Sequence, residues 1–294
     1  DVILESSKIM QNYDIEGAIV TNGTLFTENM VKKLVKRRWE GIAFSINGAK
    51  AQTDDFLRGR EGTFKKSIKN IRLFNKWKKQ KETEYPKLTI QMVITKYNYD
   101  EILPMYEMAK EENIDIILYR MVNEGGDDEK RFYIEEGALR EVKEQLQRVK
   151  SLSKKDMIEV KQEFEIEDVE KVLRNNLGNK EGEEAKKSFE KDEEEKNIPQ
   201  IPCAKPFSEM VILADGTAHP CCVIAESKYK DDGLDLSEIE DIKNKNLEDV
   251  WNSRKMDRIR KTMMEDELPE RCKRYCTLDM IYREKSGAIY ENKW

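Results

Sequence analysis

Over its first ~150 residues the chain repeats one pattern, and that pattern limits the fold more than any other feature. A short β-rich apolar run leads into a polar turn, and a helix-patterned segment follows. The runs are Gly17 to Val20, Ile42 to Ile46, Leu88 to Thr95 and Ile114 to Val122. Thr27 caps a helix to about Arg38 and Thr63 caps one to about Lys79. Asp100 caps a third to about Asn113, and Glu135 to Lys150 reads as a fourth. Repeated strand–helix units of this length predict parallel strands joined by right-handed crossovers. In such folds the functional loops follow the carboxyl ends of the strands. Asn22, Ser45, Asn47, Asn98 and the segment from Arg120 onward occupy those positions. Asn-Gly pairs are also ordinary turn chemistry, so position alone does not make these residues functional.

Residues 151–197 read as a connecting segment. It holds a candidate strand, Met157 to Phe164, and a short helix, Asp168 to Leu177. Gly178 to Asn197 is then a charged low-complexity stretch, too polar to bury, read as a mobile linker or a solvated helix. The chain carries 53 Lys+Arg against 59 Asp+Glu, a formal charge of −6, which argues against a general nucleic-acid binder. Residues 1–100 are nevertheless basic, with Lys32-Lys33 and Lys36-Arg37-Arg38 on one helix, read as a solvated face. No apolar run approaches the roughly 20 residues of a membrane span. The single histidine, His219, excludes His-rich metal sites.

The five cysteines, Cys203, Cys221, Cys222, Cys272 and Cys276, all lie in the last third. An odd, clustered set is a poor disulfide framework and suits metal binding in a reducing cytoplasm. Met210 to Leu213, the turn Asp215-Gly216 and Thr217 to His219 predict a β-hairpin that brings Cys203 and Cys221 toward one end. A distant Cys272-x3-Cys276 supplies two more thiols. Four thiolates in this arrangement suit an iron–sulfur cluster or zinc, and spacing alone does not choose.

The run from Cys203 through Asp215-Gly216-x3-Pro220-Cys221-Cys222, then Leu247-x2-Val250-Trp251-Asn252-Ser253, then a closing cysteine pair resembles the auxiliary-cluster domain of radical S-adenosylmethionine (radical SAM) enzymes. The likeness is to the SPASM type in its shorter, single-cluster form, called Twitch. Thr21-Asn22-Gly23-Thr24, Ser45-Ile46-Asn47-Gly48-Ala49, Leu57-Arg58-Gly59, Gly62-x-Phe64, Asn70-Ile71 and Asn98 resemble the back half of the radical SAM barrel in order and spacing.

The resemblance implies a partial (β/α)6 radical SAM barrel, strands three to six, over residues 1–150. The connecting segment 151–197 follows, and then a small α+β cluster domain at 198–294. It implies that Cys203, Cys221, Cys272 and Cys276 ligate an auxiliary [4Fe-4S] cluster, with Cys222 packing or substituting. Ser45 and Asn47 fall on the loop that touches the cofactor's ribose, where the family more often has Asp than Asn47. Arg58 fits a carboxylate-binding role, and Asn22 and Asn98 fit hydrogen bonding around the cofactor. His219 sits among the cluster ligands. The family's initiating Cys-x3-Cys-x2-Cys loop is absent, and Cys272-x3-Cys276 stands where Cys-x2-Cys is usual. With Asp1 at its start, the chain reads as a C-terminal fragment, one half of a split enzyme, or a protein that has lost the chemistry. A radical [4Fe-4S] cluster and S-adenosylmethionine belong only to the complete enzyme, and no catalytic residue is assignable. Expected partners are a peptide or small-molecule substrate, an electron donor such as flavodoxin or ferredoxin, and the missing N-terminal half. The rival reading is a non-catalytic iron–sulfur or zinc protein that carries electrons or docks on a partner.

Overall fold

The computed structural model describes residues 2–122, 132–162, 164, 203, 205–225, 242 and 245–264. They belong to two compact units, 1–191 and 192–293.

The first unit is built on β1 (Ala18–Thr21), β2 (Gly41–Ser45), β3 (Lys87–Ile94), β4 (Ile116–Met121) and β5 (Glu159–Gln162). All neighbours pair in parallel, and the order across the sheet is the order along the chain. A doubly wound sheet would reverse its order at one point. Here every right-handed crossover lands its helix on the same face, as in a barrel. The helices are α1 (Val2–Asn12), α2 (Glu28–Lys36), α3 (Ala51–Arg58), α4 (Thr63–Gln80), α5 (Ile102–Glu111) and α6 (Glu136–Ser153). The strand–helix alternation expected from the sequence is therefore present, and β5 falls within the candidate strand at 157–164.

Burial follows the period of two. In β2 and β3 the residues Ile42, Phe44, Leu88, Ile90, Met92 and Ile94 are fully buried, while Gly41, Ala43, Ser45, Lys87, Thr89, Gln91 and Val93 are half-buried. The first set meets Val31, Leu34, Ile71, Phe74, Met105, Ala109, Val142 and Val149 from the helices in one core. Each fully buried Ile, Leu or Phe contributes roughly 1.5–3 kcal/mol relative to exposure. The second set forms the opposite face, which ends in polar groups at the carboxyl end of the sheet.

Thr27 caps α2 as expected, its hydroxyl accepting the Met30 N–H at 3.3 Å. Two expected caps are displaced. Gly62, not Thr63, precedes α4, with φ at +78°. The carboxylate of Asp55 accepts the Gly62 and Phe64 N–H groups at 2.7 and 2.9 Å, while the Thr63 hydroxyl donates to the Arg60 carbonyl. Asp100 lies in a 3-10 turn, Tyr99–Glu101, that precedes α5. There Gln145 of α6 accepts the Leu103 N–H and donates to the Tyr99 carbonyl, both at 3.0 Å. In both cases a side chain from another helix replaces the local cap.

The second unit contains α7 (Lys205–Ser208), the antiparallel pair β6 (Val211–Ile212) and β7 (Ala218–His219), α8 (Cys222–Ala225), α9 (Leu247–Trp251) and α10 (Arg254–Met264). The short helix expected at 168–177 and the linker at 178–197 lie outside the described residues. Among the described residues no helix is long and apolar enough to cross a membrane.

Candidate cofactor site and the cysteine hairpin

Asn22, Ser45, Asn47 and Asn98 stand at or just beyond the carboxyl ends of three adjacent strands, and Arg58 closes the helix that grows from the Asn47 loop. Their side chains are engaged to very different degrees. Asn98 is fully buried and saturated. Its Oδ1 accepts the Thr95 N–H at 2.6 Å and the Thr95 hydroxyl at 3.0 Å, and its Nδ2 donates to the carbonyls of Asn47 and Val93 at 2.6 and 2.9 Å. Four bonds exhaust an asparagine amide. Asn98 therefore acts by holding the β2 and β3 loops together.

Asn47 tightens the same junction: its Oδ1 accepts the Val93 N–H at 3.0 Å. Asn22 turns its own loop, accepting the Thr24 N–H and hydroxyl, while its carbonyl takes the Ser67 hydroxyl at 2.6 Å. Gly23, at φ +72°, lies where a Cβ would sit 2.3 Å from the Phe44 ring. Ser45 is half-buried on the open sheet face.

Two residues that sequence reasoning passed over organise the Asn47 loop. Asp54 on α3 is fully buried, and its Oδ1 accepts the Asn47 N–H at 2.7 Å and faces Arg58 Nε at 3.5 Å. Burial pushes its carboxyl above the ordinary aspartate value, against the Asn47 N–H and the Arg58 charge, which both pull it down. Glu101, 4% exposed, takes the Ala49 N–H on one oxygen at 2.7 Å and the Thr53 hydroxyl on the other at 2.6 Å. Gly48 permits the closure, since a Cβ there would lie 2.6 Å from the Asp54 backbone nitrogen. Asp54 Oδ2 and Arg58 Nε and Nη2 are buried without a hydrogen-bond partner. Each such group costs about 1–3 kcal/mol in a closed protein. Unmet guanidinium donors suit a carboxylate ligand, so the residues present fit an amino-acid-bearing cofactor such as S-adenosylmethionine.

In the second unit the turn at Asp215-Gly216 is fixed by Asp215 Oδ1, which accepts the Thr217 N–H at 2.9 Å and the Thr217 hydroxyl at 2.7 Å. Gly216 supplies φ at +92°. His219 is buried, with Nε2 3.0 Å from the Thr217 hydroxyl. Beyond the hairpin Cys221 is buried, while Cys222 is exposed and opens α8 rather than continuing an extended strand; Cys203 is half-buried. None of the three forms a disulfide. Cys272 and Cys276 lie outside the described residues. Among the described residues no group of three His, Cys, Asp or Glu is placed to hold a metal ion. Soft thiol donors at Cys203 and Cys221 fit an iron–sulfur cluster or zinc as two of four ligands.

The Leu-x2-Val-Trp-Asn-Ser run has a physical reason. Asn246 caps α9 by accepting the Asp249 N–H at 2.8 Å, and Val250 is fully buried. Arg260 of α10 lies over the Trp251 ring at 4.3 Å and donates to the carbonyls of Trp251 at 2.7 Å and Pro206 at 2.9 Å. One guanidinium thus ties two helices to the segment that follows Cys203.

Residues 203–277 match SPASM, an iron–sulfur cluster-binding domain. The AdoMet-dependent heme synthase of Methanosarcina barkeri (strain Fusaro / DSM 804) is 30% identical over 109 residues, which are 37% of this chain and 29% of that protein. Streptococcus suis SuiB aligns in structure with a TM-score of 0.59 at 18% identity, over 86% of this chain and 52% of SuiB. SuiB has also been solved with S-adenosylmethionine and with its precursor peptide SuiA. Native anSMEcpe with bound AdoMet and a Kp18Cys peptide aligns at 0.54 and 17% identity, over 95% of this chain and 70% of that one. The chain thus spans less than a third of the curated relative and about half of SuiB. The expected resemblance to radical SAM enzymes with a SPASM-type domain is borne out, as is the α/β fold class.

Proposed function

We propose that this chain supplies part of the S-adenosylmethionine site and an auxiliary [4Fe-4S] cluster to a radical SAM enzyme acting on a peptide or small-molecule substrate. The observation that carries this is the SPASM match over 203–277, which spans Cys203, Cys221, Cys272 and Cys276. These four are the proposed ligands. Solved relatives that hold a peptide support the peptide class, and the heme synthase likeness keeps a small molecule in view.

In the complete enzyme, reductive cleavage of S-adenosylmethionine at a radical cluster would supply the hydrogen-abstracting chemistry, with flavodoxin or ferredoxin as electron source. This chain's residues bind and orient. Arg58 takes the cofactor carboxylate, and Ser45 and Asn47 meet the ribose. Asn22 and Asn98 fix the loops.

Anaerobic reconstitution of the full chain with iron and sulfide tests the reading. About four iron and four labile sulfide per chain are expected, lost in Cys221→Ala and kept in Cys222→Ala. Zinc without labile sulfide would overturn the cluster assignment in favour of a structural metal domain.

A further inference from the structure

We propose that Asp54 is a positioning residue that holds Arg58 and the Asn47 loop as one unit, so that the guanidinium meets the carboxylate and the loop meets the ribose of the same S-adenosylmethionine, an assignment that rests on the cofactor reading above.

Asp54 reaches both elements from the middle of α3. Its Oδ1 is shared between the Asn47 N–H at 2.7 Å and Arg58 Nε at 3.5 Å. Asp54 is fully buried, and the Arg58 side chain is 17% exposed. A carboxylate removed from water at this depth is costly unless its partners satisfy it, and here they do so incompletely: Oδ2 has no hydrogen-bond partner.

Two other carboxylates in the unit show what a purely structural arrangement looks like. Arg72 meets Glu112 fork to fork, with both Nε and Nη2 donating. Glu101 uses both of its oxygens on the Ala49 N–H and the Thr53 hydroxyl. The Asp54–Arg58 pair is looser. It supplies a counter-charge while Nε and Nη2 keep unspent donor capacity beneath the surface. That is how a binding arginine is oriented without being consumed. Because the same oxygen accepts the Asn47 N–H, Asp54 sets Arg58 and the loop against one carboxylate.

Equilibrium binding of S-adenosylmethionine and of its decarboxylated analogue to the full chain tests this, with a thermal melt beside each variant. Asp54→Asn keeps the volume and an acceptor for the Asn47 N–H but removes the charge. It should weaken S-adenosylmethionine about tenfold, the scale expected when a group that orients a ligand-binding side chain is lost. The analogue, which has no carboxylate for Arg58, should weaken by less than about threefold. Asp54→Glu, which restores charge on a longer arm, should fall between wild type and Asp54→Asn for S-adenosylmethionine. If Asp54→Asn does not melt cooperatively, Asp54→Glu decides: wild-type binding of both ligands overturns the proposal. Equal losses for both ligands in Asp54→Asn, or no loss, overturn the role of Asp54 alone. A wild-type chain that binds neither ligand overturns the claim that this chain's own residues hold the cofactor, and this proposal with it.

Discussion

The amide of Asn98 donates to two carbonyls and accepts from two groups of Thr95, all inside the protein. Asn98→Asp is close in shape but loses both donors and adds a charge beside two carbonyls. Leaving buried acceptors unmet costs about 1–3 kcal/mol each. The variant should therefore lose roughly 2–4 kcal/mol in urea unfolding, and a neutral result would mean the clamp is not formed. Gly48→Ala should also disturb the loop, because the obstructing atom is the backbone nitrogen of Asp54 rather than a flexible side-chain end. At this scale the sequence placed Asn22, Ser45, Asn47, Arg58 and Asn98 by motif and position, but not their division of labour. Asp54 and Glu101 were illegible because their roles arise from burial. Glu101 lies 52 residues from the Ala49 N–H it binds, and an acidic residue in a charged chain looks like surface until the fold closes over it.

Helix α4 is 18 residues long, contains Lys and Arg but no acidic residue in its first turn, and starts from a glycine with no side chain to cap it. Asp55 supplies that cap from the preceding helix. The Phe64 N–H, with help from Gly62 and Thr63, holds its carboxyl below the ordinary aspartate value of 3.8. A carboxyl depressed in the folded state stabilises above its unfolded value and loses that contribution as pH falls through the folded value. Asp55→Ala should therefore cost about 0.5–2 kcal/mol at neutral pH, as lost caps do. The gap to wild type should close on acidification below the ordinary value, read by melts across a pH series. A gap that persists at low pH would mean that the helix is anchored otherwise. Elements with a local signal were legible: β1 to β4 through β-rich runs ending in turns, and α2 through Thr27. Helix α3 was not, because Thr53-Asp54-Asp55 resembles turn chemistry and its only apolar neighbours, Phe56 and Leu57, stand side by side rather than at helical spacing. The caps of α4 and α5 failed for a related reason, since Asp55 and Gln145 supply them from other helices.

The two units differ in what holds them. The described part of the first closes a large apolar layer between five strands and six helices. The described part of the second has two-residue strands and few buried apolar side chains, among them Ala218, Ala225, Val250, Met256, Ile259 and Met263. A two-stranded hairpin is marginal by itself, and small domains commonly rely on metal or disulfide bonds. With Cys203, Cys221 and Cys222 outside any disulfide, the proposed cluster is the natural staple, since binding free energy at a site absent from the unfolded chain is folding free energy. Calorimetry of the reconstituted chain should then resolve two transitions. Removing iron with a chelator should lower the cluster-unit transition by roughly 10 °C or more, given that 1 kcal/mol moves a domain of this size by about 4–8 °C. The transition of the parallel sheet should stay within about 2 °C, because its core owes nothing to thiolates. Limited proteolysis of the iron-free chain should in turn cut within 203–264 and leave the sheet unit intact. A common shift of both transitions would mean that the units melt as one cooperative body; no shift in either would mean that the cysteine unit folds without its metal, and that the thiols serve chemistry alone.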